Sequence, residues 1–197
     1  MDDSSYPSSH VVLITGPSRS GKSEWAELLA AQSGKAVTYV ATACIDPADV
    51  EWQTRIIRHQ QRRPPTWKTL SGSTNLTSII QRATADQCML IDSLGTWLAN
   101  RLDQTDDEWA HDLAAFIHAL SHAEGLMILV AEETGWGVVP AYPSGRKFRD
   151  RLGDLTRQIG AIATSVYLVT GGYALNVSEL GTRLPPINLG KHHPSQS

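Results

Sequence analysis

Cysteine is nearly absent from this sequence: Cys44 and Cys88 are the only two in 197 residues, with no C-x-x-C spacing and no neighbouring histidine. That argues against a disulfide scaffold or a cysteine-based zinc site and fits two small apolar fillers in a reducing compartment. Long apolar runs are missing too; none approaches the roughly 18 residues needed to span a bilayer. Residues Met1 to His10 are polar and slightly acidic, without the basic start and apolar run of a secretory signal. Positive charge is also scarce. Seventeen Lys and Arg against twenty Asp and Glu leave a formal net charge of -3, which gives no electrostatic basis for a nucleic acid partner. The expectation is a cytoplasmic protein without a membrane span. What is present is a globular balance, 41% hydrophobic and 19% charged, enough for one buried core. With no internal repeat or low-complexity linker, the organisation expected is a flexible segment at 1–10, one catalytic domain at 11–180 and a loosely ordered tail at 181–197.

The apolar pattern alternates between strand and helix. Val11 to Ile14 is a short continuous apolar run, as a buried parallel strand requires, and helical spacing through Trp25, Ala26, Leu28 and Leu29 follows it. Val37 to Ala41 reads as a second strand, and a helix is expected from Pro47 to the Pro64-Pro65 stop. Cys88 to Asp92 and Leu126 to Ala131 read as strands on either side of an amphipathic helix from Asp106 to Ala123. Glu132 to Gly145 is a loop with three glycines and two prolines, followed by a helix from Arg146 to Ala163 and a strand from Ser165 to Thr170. Strands alternating with helices predict an α/β fold with a mostly parallel sheet and helices on both faces. Ligands bind such sheets at the carboxyl ends of the strands. Gly16, Ala41 to Ala43, Asp92 and Glu132 to Gly137 therefore belong to one rim.

Gly16-Pro17-Ser18-Arg19-Ser20-Gly21-Lys22-Ser23 matches G-x-x-x-x-G-K-S/T at every fixed position, between a strand and a helix. Glycines allow the tight turn that points successive N–H groups at phosphate oxygens, and the following helix aims its positive end at the same anion. Lys22 is expected to reach the β- and γ-phosphates, and the Ser23 hydroxyl to coordinate Mg²⁺. Asp92, which ends an apolar run, is the natural second Mg²⁺ group, with a helix cap or turn residue as the alternative. Asp92 to Gly95 also fits the D-x-x-G of nucleotide switches, but no N/T-K-x-D sequence occurs to read guanine.

Arg55 to Pro64 is the one dense basic cluster. In a helix, Arg55, His59 and Arg62 or Arg63 share a face. Guanidinium forks suit phosphate oxygens, and their charge tends to keep His59 neutral, with a ring nitrogen available to attack an α-phosphate. A solvated helix face with an incidental histidine is the alternative. His111, His118 and His122 recur at near-helical spacing without an evident Cys or acidic partner for a metal.

In order along the chain, the motifs resemble those of the bifunctional adenosylcobinamide kinase / adenosylcobinamide-phosphate guanylyltransferase family of cobalamin biosynthesis. The likeness runs from about Val11 to Gly172. It rests on the Arg-Ser-Gly-Lys-Ser core of the phosphate loop, Tyr39 to Ala43, His59 to Pro64 with Trp67, Leu90 to Leu94 with Trp97, and Glu133 to Pro140; Phe148-Arg149-Asp150 with Gly153 adds to it. The resemblance implies a RecA-like P-loop fold and a homotrimer. It implies phosphorylation of the aminopropanol hydroxyl of adenosylcobinamide by a nucleoside triphosphate, ATP or GTP, and then transfer of GMP from GTP to that phosphate. The nucleophile of the second step corresponds to His59. Nucleotide contacts are implied at Gly16 to Ser23, Ala41, Thr42, Ala43, Gln60, Gln61, Arg62, Arg63 and Asp92, and the loop around Trp136 is a candidate grip for the corrinoid. Ser71 stands where the family commonly has a glutamate near the nucleotide, and Thr156 where an asparagine is often found. The residues alone leave two further readings open: a different small-molecule kinase, and a nucleotide-dependent regulatory module.

Overall fold

A computed structural model describes residues 10–43, 63–72 and 75–185. The helix expected from Pro47, with His59, Gln60, Gln61 and Arg62, lies outside the described residues, as do Cys44, residues 1–9 and residues 186–197.

The apolar runs become strands with little adjustment: β1 (His10–Gly16), β2 (Ala36–Ala41), β4 (Gln87–Asp92), β5 (Leu126–Glu132) and β6 (Ser165–Thr170). Two edge strands join them, β3 (Lys68–Ser71) and β7 (Tyr173–Asn176). The sheet order is β3-β2-β4-β5-β1-β6-β7. Every pairing is parallel except that of β6 with β7, which the Gly171-Gly172 turn joins as an antiparallel hairpin; both glycines have positive φ. One feature of this order governs the site. β5 lies between β1 and β4, so the strand that feeds the phosphate loop and the strand that ends in Asp92 are two strand spacings apart, about 10 Å.

Helices cover both faces unequally. On one face α1 (Lys22–Gln32) places Ala26 and Ala30 against Ile14, Leu90, Ile128 and Val130. On the other, α2 (Leu76–Gln81), α3 (Leu94–Ala99), α4 (Asp106–Ser121) and α5 (Pro143–Ile162) pack against Leu13, Met89, Ile91, Met127 and Leu129. The centre of that layer is aromatic: Trp97 stacks on Phe116 at 4.7 Å and meets Trp109 at 5.8 Å. Side chains of this size contribute about 2–3 kcal/mol each when fully buried, so the trio is a substantial part of what holds this layer to the sheet. A single turn, α6 (Val177–Leu180), closes the described chain. No helix among the described residues is long and apolar enough to cross a membrane.

Candidate active site

Gly16 ends β1 at a point where a Cβ would collide with the carbonyl oxygen of Val169 and approach Ser20 Oγ, so only glycine fits. The chain then turns through two left-handed residues, Arg19 at φ 60° and Gly21 at φ 93°, before α1 begins at Lys22. Alternation of left- and right-handed backbone folds consecutive N–H groups into a concave, anion-binding nest. Inside the loop Ser20 N–H donates to Pro17 O at 3.3 Å. Lys22 is only 7% exposed, and its Nζ donates to the loop's own Pro17 carbonyl at 3.2 Å. A buried ammonium resting on one carbonyl is held ready for a stronger acceptor. Ser20 Oγ is buried with no hydrogen-bond partner among the described residues, a polar group that a phosphate oxygen would satisfy. The half-buried Ser23 hydroxyl opens the first turn of α1 beside Lys22.

Asp92 lies on the same rim. It is not the cap of α3; Ser93 is, with a reciprocal capping box to Thr96. The Asp92 carboxylate instead accepts from Tyr39 Oη at 3.2 Å through Oδ2. Burial, with the adjacent Asp92 charge, holds the Tyr39 phenol far above its ordinary range, so it remains a donor. Arg63 lies over the Tyr39 ring at 3.5 Å from its centroid and has further interactions. The last arginine of the basic segment is therefore placed one side chain from Asp92.

The junction behind Asp92 is a polar network that the sequence did not reveal. Thr42 is fully buried; its hydroxyl donates to Ser93 O at 2.6 Å, accepts from Ser93 N–H at 2.8 Å and lies 2.5 Å from Thr96 Oγ1. Its carbonyl accepts from Asn100 Nδ2 at 3.1 Å and its N–H donates to Asp92 O. All of Thr42's polar groups thus brace the β2 and β4 ends. Ser93 Oγ donates to Glu132 Oε1, and Gly95 N–H donates to Glu132 Oε2 at 2.9 Å. Gly95, the glycine of the D-x-x-G pattern, has a structural reason: a Cβ there would collide with the Glu132 carboxylate. The one local signal for this network was Ser93-x-x-Thr96, a capping spacing.

Of the other expected contacts, Ala41 ends β2 in register with Asp92 on one side and Ser71 on the other, and Ala43 follows the braced Thr42. Ser71 is exposed at the end of β3. Beyond β5, Glu133 N–H donates to Gly16 O at 3.0 Å, and the chain runs out into a rim loop. Trp136 is 65% exposed there and Val138 95%, while Arg146 donates to the carbonyls of Pro140 and Ala141. The donors at the rim suited to a cation, the Ser23 hydroxyl and the Asp92 carboxylate, are both oxygens, as Mg²⁺ prefers. Among the described residues no cluster of three or more His, Cys, Asp or Glu could hold a metal by itself.

A family model described as cobinamide kinase / cobinamide phosphate guanyltransferase matches residues 12–177. The chain belongs to this family. It is similar to the bifunctional adenosylcobalamin biosynthesis protein CobP of Pseudomonas aeruginosa, with 40% identity over 162 residues covering 81% of this chain and 92% of that one. It is also similar to its counterpart CobU of Escherichia coli, with 32% identity over 182 residues covering 85% and 99%. Likeness to solved structures extends to the fold. A type III secretion system ATPase superposes with a TM-score of 0.50 at 11% identity, covering 87% of this chain and 53% of that one. A Pyrococcus horikoshii OT3 protein, PH0250, does so at 0.52 and 9% identity, covering 87% of each. The fold of this chain is thus the mostly parallel P-loop NTPase sheet that its motifs implied.

Proposed function

We infer that this chain phosphorylates the aminopropanol hydroxyl of adenosylcobinamide with a nucleoside triphosphate, ATP or GTP. It then transfers GMP from GTP to that phosphate through a guanylylated His59, giving adenosylcobinamide-GDP. The observation that carries this reading is the rim itself: a phosphate nest with a buried lysine at Gly16 to Ser23, Asp92 two strands away, and Arg63 anchored on Tyr39 between the basic segment and Asp92.

In the kinase step the Gly16–Ser23 amides and Lys22 hold the β- and γ-phosphates and spread the charge that develops on the transferred group. The acceptor oxygen forms a bond to the γ-phosphorus as the bond to the β-bridging oxygen breaks, and the hydroxyl proton leaves to a base or water. In the guanylyl step a neutral His59 nitrogen forms a P–N bond at the α-phosphorus and pyrophosphate leaves. The corrinoid phosphate oxygen then displaces the imidazole. Splitting the transfer this way lets a neutral imidazole make the first attack, which reduces the charge repulsion in that step. Mg²⁺, held by Ser23 and Asp92, would neutralise phosphate charge. The exposed apolar loop with Trp136, Val138 and Val139 supplies a platform of the kind a flat corrinoid would cover. A cytoplasmic homotrimer, without a nucleic acid partner or a membrane span, completes the reading.

Mass spectrometry of the corrinoid product tests it. The native chain with adenosylcobinamide, GTP and Mg²⁺ gives the phosphate and then the GDP derivative. His59→Ala stops at the phosphate, and Lys22→Ala lowers both products about 100-fold or more. GDP derivative formed at the native rate by His59→Ala refutes the covalent route.

A further inference from the structure

The end of β5 carries a carboxylate where one is electrostatically expensive. Glu132 is in register with Gly16, the first residue of the phosphate nest. A negative charge so near the seat of a triphosphate opposes binding, so its presence there calls for a task of its own. Its contacts identify the task. One oxygen accepts from Ser93 Oγ and the other from Gly95 N–H, so both lobes of the carboxylate grip the turn that immediately follows Asp92. The same turn is held from the β2 side by Thr42, bonded to Ser93 at both its N–H and its carbonyl. Asp92 itself is tethered by Tyr39. Gly95 is kept free of a side chain by Glu132 alone: the atoms nearest its Cβ position all belong to that carboxylate.

We propose that Glu132 is a positioning residue that clamps the Ser93–Gly95 turn and so fixes Asp92 at the distance from the phosphate nest at which it receives the nucleotide-bound cation. Its two oxygens are both engaged by the turn, so it acts through Asp92 and not on the substrate. β5 is the strand that separates the nest from Asp92, and a clamp at its end sets the spacing between them. This rests on the nucleotide-binding reading above.

The test is equilibrium binding of a non-hydrolysable GTP analogue with Mg²⁺ and with EDTA, on the full chain. The native protein binds more tightly with Mg²⁺. Glu132→Ala keeps its EDTA affinity within about threefold, while the Mg²⁺ concentration giving half the enhancement rises about tenfold or more. Glu132→Gln, which keeps an acceptor for Gly95 N–H and a polar partner for Ser93 Oγ, stays within about threefold of the native value. Gly95→Ala, which displaces the carboxylate, follows Glu132→Ala and serves in its place if that variant does not fold. Unchanged Mg²⁺ dependence in Glu132→Ala or Gly95→Ala overturns the proposal, leaving a fold-support role. Equal damage in Glu132→Gln and Glu132→Ala overturns it as well, since the charge itself would then be required. If the native chain shows no Mg²⁺ enhancement at all, the nucleotide reading fails instead, and the two failures are distinguishable.

Discussion

At the scale of single residues the site divides into what is local in sequence and what is not. Gly16 to Ser23 was legible because every contribution to an anion nest comes from eight consecutive residues, and Asp92 because it terminates an apolar run. The bond from the Tyr39 hydroxyl to Asp92 and the clamp of Glu132 on Ser93 and Gly95 were not, since they join positions 37 to 53 residues apart. Removing the Tyr39 hydroxyl tests one such bond. Tyr39→Phe keeps the ring under Arg63 and loses only the bond to Asp92, so unfolding by urea should show a loss of about 1 kcal/mol. Cys88 gives a second test. Burial pushes its thiol up to about 11 from 9.0, outweighing the Ser33 hydroxyl and Lys35. The neutral thiol is thus favoured by the fold, and that contribution is present below pH 9 and lost as pH rises toward 11. In a Cys44→Ser background the native chain should not react with a thiol reagent at pH 8 until it is denatured; prompt reaction would contradict the buried placement.

Among elements, those the periodicity identified are the long or fully buried ones, and those it missed are short or at edges. β3 is exposed at all four residues and has no apolar alternation; it is a strand because β2 offers it a free edge. α2 and α3, six residues each, are too short to show a helical repeat. α5 starts at Pro143, three residues before the expected Arg146, because proline suits the first turn of a helix. The joint between α4 and α5 is made by a buried arginine. Arg151 donates to the carbonyls of Arg101, Gln104 and Thr105 and to Asp106 Oδ1 at 2.9 Å. Arg151→Met strips these acceptors of their partner and should cost about 2–4 kcal/mol in thermal or urea unfolding. The same guanidinium holds the Asp106 carboxyl below its ordinary 3.8. A depressed folded value gives stability that is present above 3.8 and lost as pH falls through the folded value. Asp106→Asn should therefore flatten part of the acid limb of the stability profile, whereas an unchanged limb would exclude this pair as a contributor.

For the whole molecule, the alternation of apolar runs and helical stretches was sufficient for the class of fold and for the rim on which Gly16, Asp92 and Glu132 meet. The strand order was not legible, since nothing in β5 by itself says that it slots between β1 and β4. That order brings scattered motifs to one rim, with the Gly16–Ser23 loop at one side, Asp92 at the other and the basic segment's last arginine beside it. The account then requires that GTP bound there meets the His59 imidazole. Incubation with GTP labelled at the α-phosphate and Mg²⁺, followed by denaturing electrophoresis, tests this most directly. The account predicts a label on the protein that is lost in acid, survives base and is missing from His59→Ala. A native chain that takes up no label while forming the GDP derivative, or a His59→Ala variant that is labelled equally, would contradict it.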